Sequence, residues 1–174
     1  MGIMGAGIAT AMGSVFSLLI MASHFFSKKC TLRFVWPKGL AGKLKKICVT
    51  GSNGKTTTTS LIYYLLKEAG LNAGLGGNIG QSYAYQVATC HYDYYVLEIS
   101  SFQLDDVYDF RPDIAIITNI TPDHLDRYDN KMENYVRAKF RIARNLRPED
   151  CFIFDSDDAI TIEHLNDIVL KAKM

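Results

Sequence analysis

Charge is what the beginning of this chain lacks. No Asp, Glu, Lys or Arg occurs in residues 1–27, and Lys28 and Lys29 then arrive together. An uncharged run of that length can span a bilayer. One reading is therefore a membrane anchor with the Lys28, Lys29, Arg33 and Lys38 side in the cytoplasm. A cleaved secretory leader fits poorly, because no basic residues precede the apolar part. The other reading is a buried segment or the remnant of a mis-started chain, its hydrophobicity diluted by Gly2, Gly5, Gly7 and Gly13; anchor and remnant stay open. Gly5-x-Gly7 has neither a preceding strand nor a third glycine at the spacing of a dinucleotide fold, which sets that reading aside.

A surplus of either sign is missing from the chain as a whole. Over 174 residues, 19 Lys and Arg stand against 18 Asp and Glu, a net charge of +1. Nucleic-acid binding draws on a basic excess, so none is expected, and recognition must come from a local site. Cysteine pairs are missing too: Cys30, Cys48, Cys90 and Cys151 are scattered without C-x-x-C spacing, which argues against a zinc site or a disulfide frame and fits reduced cytosolic thiols. Internal repeats and low-complexity tracts are absent. The length suits one α/β core with an appendage better than two domains.

What is present is centred on Cys48-Val-Thr-Gly-Ser-Asn-Gly-Lys-Thr-Thr57. A β-branched run, Ile47 to Val49, breaks into Gly51-Ser52-Asn53-Gly54, and Lys55-Thr56 opens a helix carrying Leu61, Ile62, Leu65 and Leu66. Strand, glycine loop and helix in that order turn backbone N–H groups, a helix dipole and an ammonium toward one point, which suits phosphate. Thr56 stands where a P-loop hydroxyl holds Mg²⁺. The usual first glycine of G-x-x-x-x-G-K-[ST] is replaced by Val49, so the match rests on its strand-to-helix setting. The helix is expected to end at Gly70, with a short strand over Leu71 to Leu75 and a glycine-dense turn, Gly76-Gly-Asn-Ile-Gly80, after it.

Two further apolar strands are expected, Tyr94 to Ser100 and Asp113 to Asn119. Separated by helical segments, they point to a parallel sheet whose ligands gather beyond the strands' carboxyl ends. Gly51 to Thr56, Glu98 to Ser101 and Asn119 to Asp126 lie at such ends and should share one crevice. Glu98 is an oxygen ligand suited to Mg²⁺ or to orienting a water. His124, between Asp123 and Asp126, is either a positioned imidazole or an ordinary loop histidine. The span Lys131 to Leu146 reads as a helix, with Met132, Tyr135, Val136, Phe140, Ile142, Ala143 and Leu146 on one arc and Arg137, Arg141 and Arg144 opposite. Lys139 falls inside the apolar arc. Burying an unpartnered ammonium is costly, so Lys139 is paired, lowered in pKa or chemically modified, or else it snorkels to a rim. Cys151 to Asp155 reads as a last strand, and Asp157 to Lys173 as a helix capped by Ser156 or Asp157.

Together, Thr50-Gly-Ser-Asn-Gly-Lys-Thr-Thr57, Gly76-Gly-Asn-Ile-Gly80, Leu97-Glu-Ile-Ser-Ser-Phe-Gln-Leu104, Asn119-Ile-Thr-Pro-Asp-His-Leu-Asp-Arg-Tyr128 and Tyr135-x-x-Ala-Lys-Phe-Arg141 closely resemble the Mur ligases, from about Lys46 to about residue 160 with every motif in order. The E-x-S-S-F-Q and D-H-x-D-R-Y strings favour the member that joins D-glutamate to UDP-MurNAc-L-alanine over the folylpolyglutamate synthetases and the later Mur ligases. The resemblance implies an α/β fold: a P-loop-type, mostly parallel sheet with flanking helices, forming an incomplete central ATP-binding domain over 46–174 behind an apolar segment and connector at 1–45. It also implies an ATP-dependent amide ligase of peptidoglycan precursor synthesis, working through an acyl phosphate of UDP-MurNAc-L-alanine that the D-glutamate amine attacks.

Carried over position by position, Gly51, Ser52, Asn53, Gly54, Lys55, Thr56 and Thr57 would hold the triphosphate, with Thr56 on a first Mg²⁺. Glu98 would bind magnesium and order the γ-phosphate. His124 and a carbamylated Lys139 would hold a second Mg²⁺. Lys55, Glu98, His124 and Lys139 form the expected catalytic set, and Asn78, Ser100 and Gln103 the expected contacts to the uridine-nucleotide substrate. Family members carry an N-terminal and a C-terminal domain that have no counterpart in these residues, so the expectation is a fragment, cytoplasmic, that binds nucleotide and magnesium weakly without turning over. Two alternatives compete: a P-loop module tethered to the cytoplasmic face of the inner membrane through residues 1–27, and a plain P-loop ATPase or kinase with no use for Lys139.

Overall fold

The computed structural model describes residues 45–166, 172 and 174. The apolar run at 1–27 and its connector lie outside the described residues. Among the described residues no helix is long and apolar enough to cross a membrane.

Strands β1 (Lys45–Thr50), β2 (Ala73–Gly77), β3 (Tyr94–Glu98), β4 (Ile114–Ile117) and β5 (Cys151–Phe154) form one sheet in the order β2-β3-β1-β4-β5. Every pairing is parallel. Parallel neighbours cannot be joined by a tight turn, so a crossover follows each of the first four strands. Helices α1 (Lys55–Glu68), α2 (Tyr83–Thr89), α3 (Ser101–Leu104) and α4 (Met132–Phe140) supply them, and α5 (Ala159–Asn166) follows β5.

The pleat sorts the strand residues onto two faces. Ile47, Val96, Ile114 and Ile116 lie against Ile62, Tyr63 and Leu66 of α1. Cys48, Tyr95, Leu97, Ala115 and Ile117 point the other way, against Leu104, Tyr135, Val136 and Phe140 of α3 and α4. Glycine loop and helix therefore leave β1 toward one face, while the helix carrying Lys139 covers the other. Register completes the arrangement: Val49 pairs with Glu98 on one side and with Ile116 on the other. The carboxyl ends of β1, β3 and β4 therefore finish level, and the three loops after them meet.

Several element ends differ from the sequence expectation. Gly70 does close α1: its φ is +74°, its N–H donates to Lys67 O at 2.9 Å and the Leu71 N–H to Leu66 O at 3.0 Å, the paired bonds of a Schellman turn. That turn consumes Leu71, so β2 begins at Ala73 rather than Leu71. The expected helix over Lys131 to Leu146 is α-helical only through Phe140 and tightens into a 3-10 turn, Arg141–Ala143. The tighter turn still buries Ile142, Ala143 and Leu146, and Asn145 Nδ2 then ties the chain to the carbonyls of Tyr108 and Phe110 at 2.6 and 3.0 Å. The last helix starts at Ala159, not Asp157. Asp158 precedes it, its carbonyl taking the Ile162 N–H at 3.0 Å and its Oδ2 the Thr161 hydroxyl at 2.6 Å. Cys48 is buried in the central strand.

At the amino end of the sheet, Asp150 is 3% exposed. Its carboxylate accepts Arg111 Nη1 at 2.8 and 2.9 Å and the Arg147 N–H at 2.8 Å. This joins the entries of β4 and β5. Removing one partner of a buried charged pair strands the other. Asp150→Ala should lower the unfolding free energy by about 3 kcal/mol, read as a lower urea midpoint with an unchanged slope.

Candidate functional site

The loop after β1 is shaped by close approach. Gly51 has a φ of +145°, and a Cβ there would stand 1.9 Å from Thr118 Oγ1, so only glycine fits. Gly54, at φ +79°, turns the chain into α1. Ser52 is buried and ties three segments: its hydroxyl donates to Thr121 O at 2.8 Å, receives the Thr121 N–H at 2.9 Å and lies 3.0 Å from Tyr135 Oη. A hydroxyl has one proton, which goes to Thr121 O, so Tyr135 is the donor in the third bond. Lys55 Nζ folds back onto Ser52 O at 2.9 Å.

Glu98 ends β3 beside this loop and is 1% exposed. Its Oε2 accepts the Thr56 hydroxyl at 2.7 Å and its Oε1 accepts Asn78 Nδ2 at 2.8 Å. Asn78 reaches it because Gly77, at φ +97°, crosses directly over the Glu98 carbonyl, where a Cβ would come to 2.1 Å. Asn78 N–H then donates to that carbonyl at 2.8 Å. No Lys, Arg or His pairs with Glu98 among the described residues. A buried carboxylate held only by neutral donors is a strong local negative charge without a protein counter-charge.

Lys139, expected in the apolar arc of its helix, is 1% exposed. Its Nζ donates to Gly51 O at 2.6 Å, on the underside of the glycine loop, and lies 4.5 Å from the Tyr135 ring centroid. It does not snorkel. Burial, and next the positive charge of Lys55, lower its pKa to about 7, with Asp123 opposing. The uncharged amine is therefore far more accessible than in an exposed lysine.

The structure thus brings Gly51, Ser52, Asn53, Gly54, Lys55, Thr56, Thr57, Asn78, Glu98 and Lys139 together at the carboxyl end of the sheet. Two expected groups stand differently. His124 is 79% exposed in the left-handed region (φ 48°), with Asp123 Oδ1 at 3.6 Å. Ser100 and Gln103 cap α3 reciprocally, the Ser100 N–H donating to Gln103 Oε1 at 2.9 Å. No group of three or more His, Cys, Asp or Glu side chains placed to hold a metal occurs among the described residues. Sequence reasoning passed over Thr118, Thr121 and Tyr135 as parts of the loop's support. Tyr135 read only as core, and its hydroxyl on a core-facing arc was the available signal.

Residues 49–173 match the model of the Mur ligase middle domain. The chain belongs to the Mur ligase family. Bacteroides fragilis UDP-N-acetylmuramoylalanine--D-glutamate ligase is 62% identical over 130 residues, which is 75% of this chain and 29% of that protein. The enzyme of the same name from Porphyromonas gingivalis is 62% identical over 112 residues, 64% of this chain and 25% of that protein. The chain therefore spans under a third of the length of these relatives. Among solved structures, MurF ligase from Thermotoga maritima in complex with ADP superposes with a TM-score of 0.60 at 21% identity, covering 75% of this chain and 32% of that one. A UDP-N-acetylmuramoyl-L-alanyl-D-glutamate--2,6-diaminopimelate ligase superposes at 0.56 with 25% identity, covering 75% and 31%. The five-stranded parallel sheet with flanking helices is thus the Mur ligase fold.

The Lys139 amine makes this Mur ligase middle domain respond to pH in a definite direction. Its pKa falls from 10.5 to about 7 on folding, so between those values the unfolded chain binds more protons than the folded one. Stability contributed by this site therefore rises with pH across that window, by about 1 kcal/mol per pH unit. Urea titrations from pH 7 to pH 9, below the range in which the raised pKa of the buried Cys48 thiol acts in the opposite direction, should show the rise in the wild type and lose it in Lys139→Met.

Proposed function

We propose that this chain provides the ATP- and magnesium-binding portion of an amide ligase of peptidoglycan precursor synthesis that adds D-glutamate to UDP-MurNAc-L-alanine. One observation carries the reading: the Lys139 amine lies buried against Gly51 O at 2.6 Å. A nucleotide pocket alone has no use for a buried, partly neutral lysine there. The names of the 62%-identical relatives support the choice of substrates.

ATP would lie with its phosphates against residues 51–57, where Lys55 and the positive end of α1 offset the charge that two anions bring together. Lys55 reaches the phosphates by leaving Ser52 O. Magnesium fits the donor set, since Thr56 and Glu98 present hard oxygens side by side and Glu98 lacks a counter-charge. When bound, it supplies charge neutralisation at the phosphoryl oxygens. The γ-phosphoryl group passes to the substrate carboxylate, the bond to ADP breaks, and the D-glutamate amine then displaces phosphate to form the amide.

Lys139 would act as a carbamate: the neutral amine bonds to the carbon of CO₂ and releases one proton. The anionic oxygens so formed would hold a second magnesium with His124, which must then swing in from solvent. Asn78 would serve both Glu98 and the uridine-nucleotide substrate, with Ser100 and Gln103 completing the contact from the α3 cap. Domain limits of 1–45 and 46–174 and a cytoplasmic location go with this reading. The membrane-tethered alternative rests wholly on residues 1–27 and gains nothing from the described residues.

The reading has two checks. In titration calorimetry of the chain with MgATP, Lys55→Ala and Glu98→Ala should each weaken binding by about tenfold or more, and unchanged affinity in both would remove the nucleotide assignment. In a full-length ligase carrying this segment, Lys139→Ala should abolish D-glutamate-dependent ADP release, and added formate or acetate should restore part of it. A plain ATPase would be indifferent to both changes.

A further inference from the structure

Asn119, just beyond β4, faces the glycine loop with three hydrogen-bonding groups. Its backbone carbonyl accepts the Ser52 N–H at 2.8 Å, continuing the β1–β4 ladder beyond the Thr118 N–H to Thr50 O bond at 2.9 Å. Its side chain continues the ladder one residue further. Oδ1 accepts the Asn53 N–H at 3.0 Å and Nδ2 donates to Asn53 O at 3.1 Å. A carboxamide carries one acceptor and one donor in the same plane, as a peptide does, so it can pair with both groups of Asn53. The opposite orientation of the amide would set donor against donor and acceptor against acceptor. Thr118 Oγ1 adds a second bond to Asn53 O at 2.7 Å.

The consequence falls on the loop's stock of free donors. A phosphate-binding loop works by aiming unpaired N–H groups at the anion. Here the amides of Ser52 and Asn53 already have acceptors. Those of Gly54, Lys55, Thr56 and Thr57 have none among the described residues. The first α1 bond is Thr58 N–H to Gly54 O at 2.9 Å, and no side chain caps the helix.

We infer that Asn119 is a positioning residue for the nucleotide: it clamps the Asn53 peptide into the sheet, so the phosphate cradle consists of the amides from Gly54 to Thr57 and excludes those of Ser52 and Asn53. This rests on the nucleotide reading above and narrows it. The replacement of the P-loop's first glycine by Val49 fits the same picture. A loop tied down at Asn53 has no need of the wide turn that the longer glycine motif makes. The grip on ATP is accordingly short, and the remaining phosphate charge falls to Lys55 and magnesium.

Residue-resolved amide exchange by NMR on the full 174-residue chain, with MgADP as the probe, tests it. In the wild type, Ser52 and Asn53 should exchange slowly without nucleotide and stay unchanged on adding MgADP, while Gly54 to Thr57 slow. Asn119→Ala should speed Asn53 exchange by about tenfold or more and raise the MgADP dissociation constant by a similar factor. Should that variant not fold, the wild-type pattern alone decides. Slowing at Asn53 together with Gly54–Thr57 would overturn the clamp and leave the nucleotide site standing. If none of these amides responds to MgADP, the nucleotide reading itself fails and takes the inference with it.

Discussion

A lysine nitrogen buried under a backbone carbonyl is the contact on which the arrangement of this domain turns. Lys139 comes from the helix after β4 and Gly51 from the loop after β1, and their 2.6 Å bond joins the two crossovers at the carboxyl end of the sheet. Burial strips the ammonium of water, and a single carbonyl restores only part of that loss, so the charged form is disfavoured and the pKa drops toward 7. Tyr135, one turn earlier on the same helix, closes the space with its ring and donates its hydroxyl to Ser52. A residue that is expensive as a structural element is inexpensive here only if its uncharged or modified form is the one required.

The sheet makes this contact possible. With β1 central and β3 and β4 on either side, three strand ends lie level, and each delivers a different chemical type. β1 brings the glycine loop with Lys55 and Thr56, β3 brings a buried carboxylate, and β4 brings the Thr118–Thr121 segment that grips the loop from below. The two glycines with the closest contacts, Gly51 and Gly77, sit where one strand end crosses another. Neither is there for flexibility. Each marks a place where backbone passes within bonding distance of a neighbour and a Cβ has no room.

Much of this was legible in one dimension. The strand–glycine–helix order located the glycine loop, the apolar runs located the buried strands, and Lys139 stood out because a charge in an apolar arc requires explanation. The supports were not legible. Strand order placed Ser52 near Asn119 and Thr121, but these and Thr118 are small polar residues of the kind found in any loop, and nothing in their spacing says which of their groups bond to which. Ser100 and Gln103, expected as substrate contacts, also cap a four-residue helix, as their S-x-x-Q spacing allows. Helix ends slipped where side chains outside the helix, such as Asn145, decided the last turn.

The amino-acid sequence by itself determined the fold class and the place of the glycine loop, because hydrophobic periodicity and the glycine-lysine-threonine order are local properties of the chain. Tertiary structure alone decided which donors are free and which are spent, and whether the Lys139 amine is paired or exposed. Those depend on hydrogen bonds between residues 65 to 88 positions apart, and the partners in such bonds are chosen by strand register, which no local pattern records.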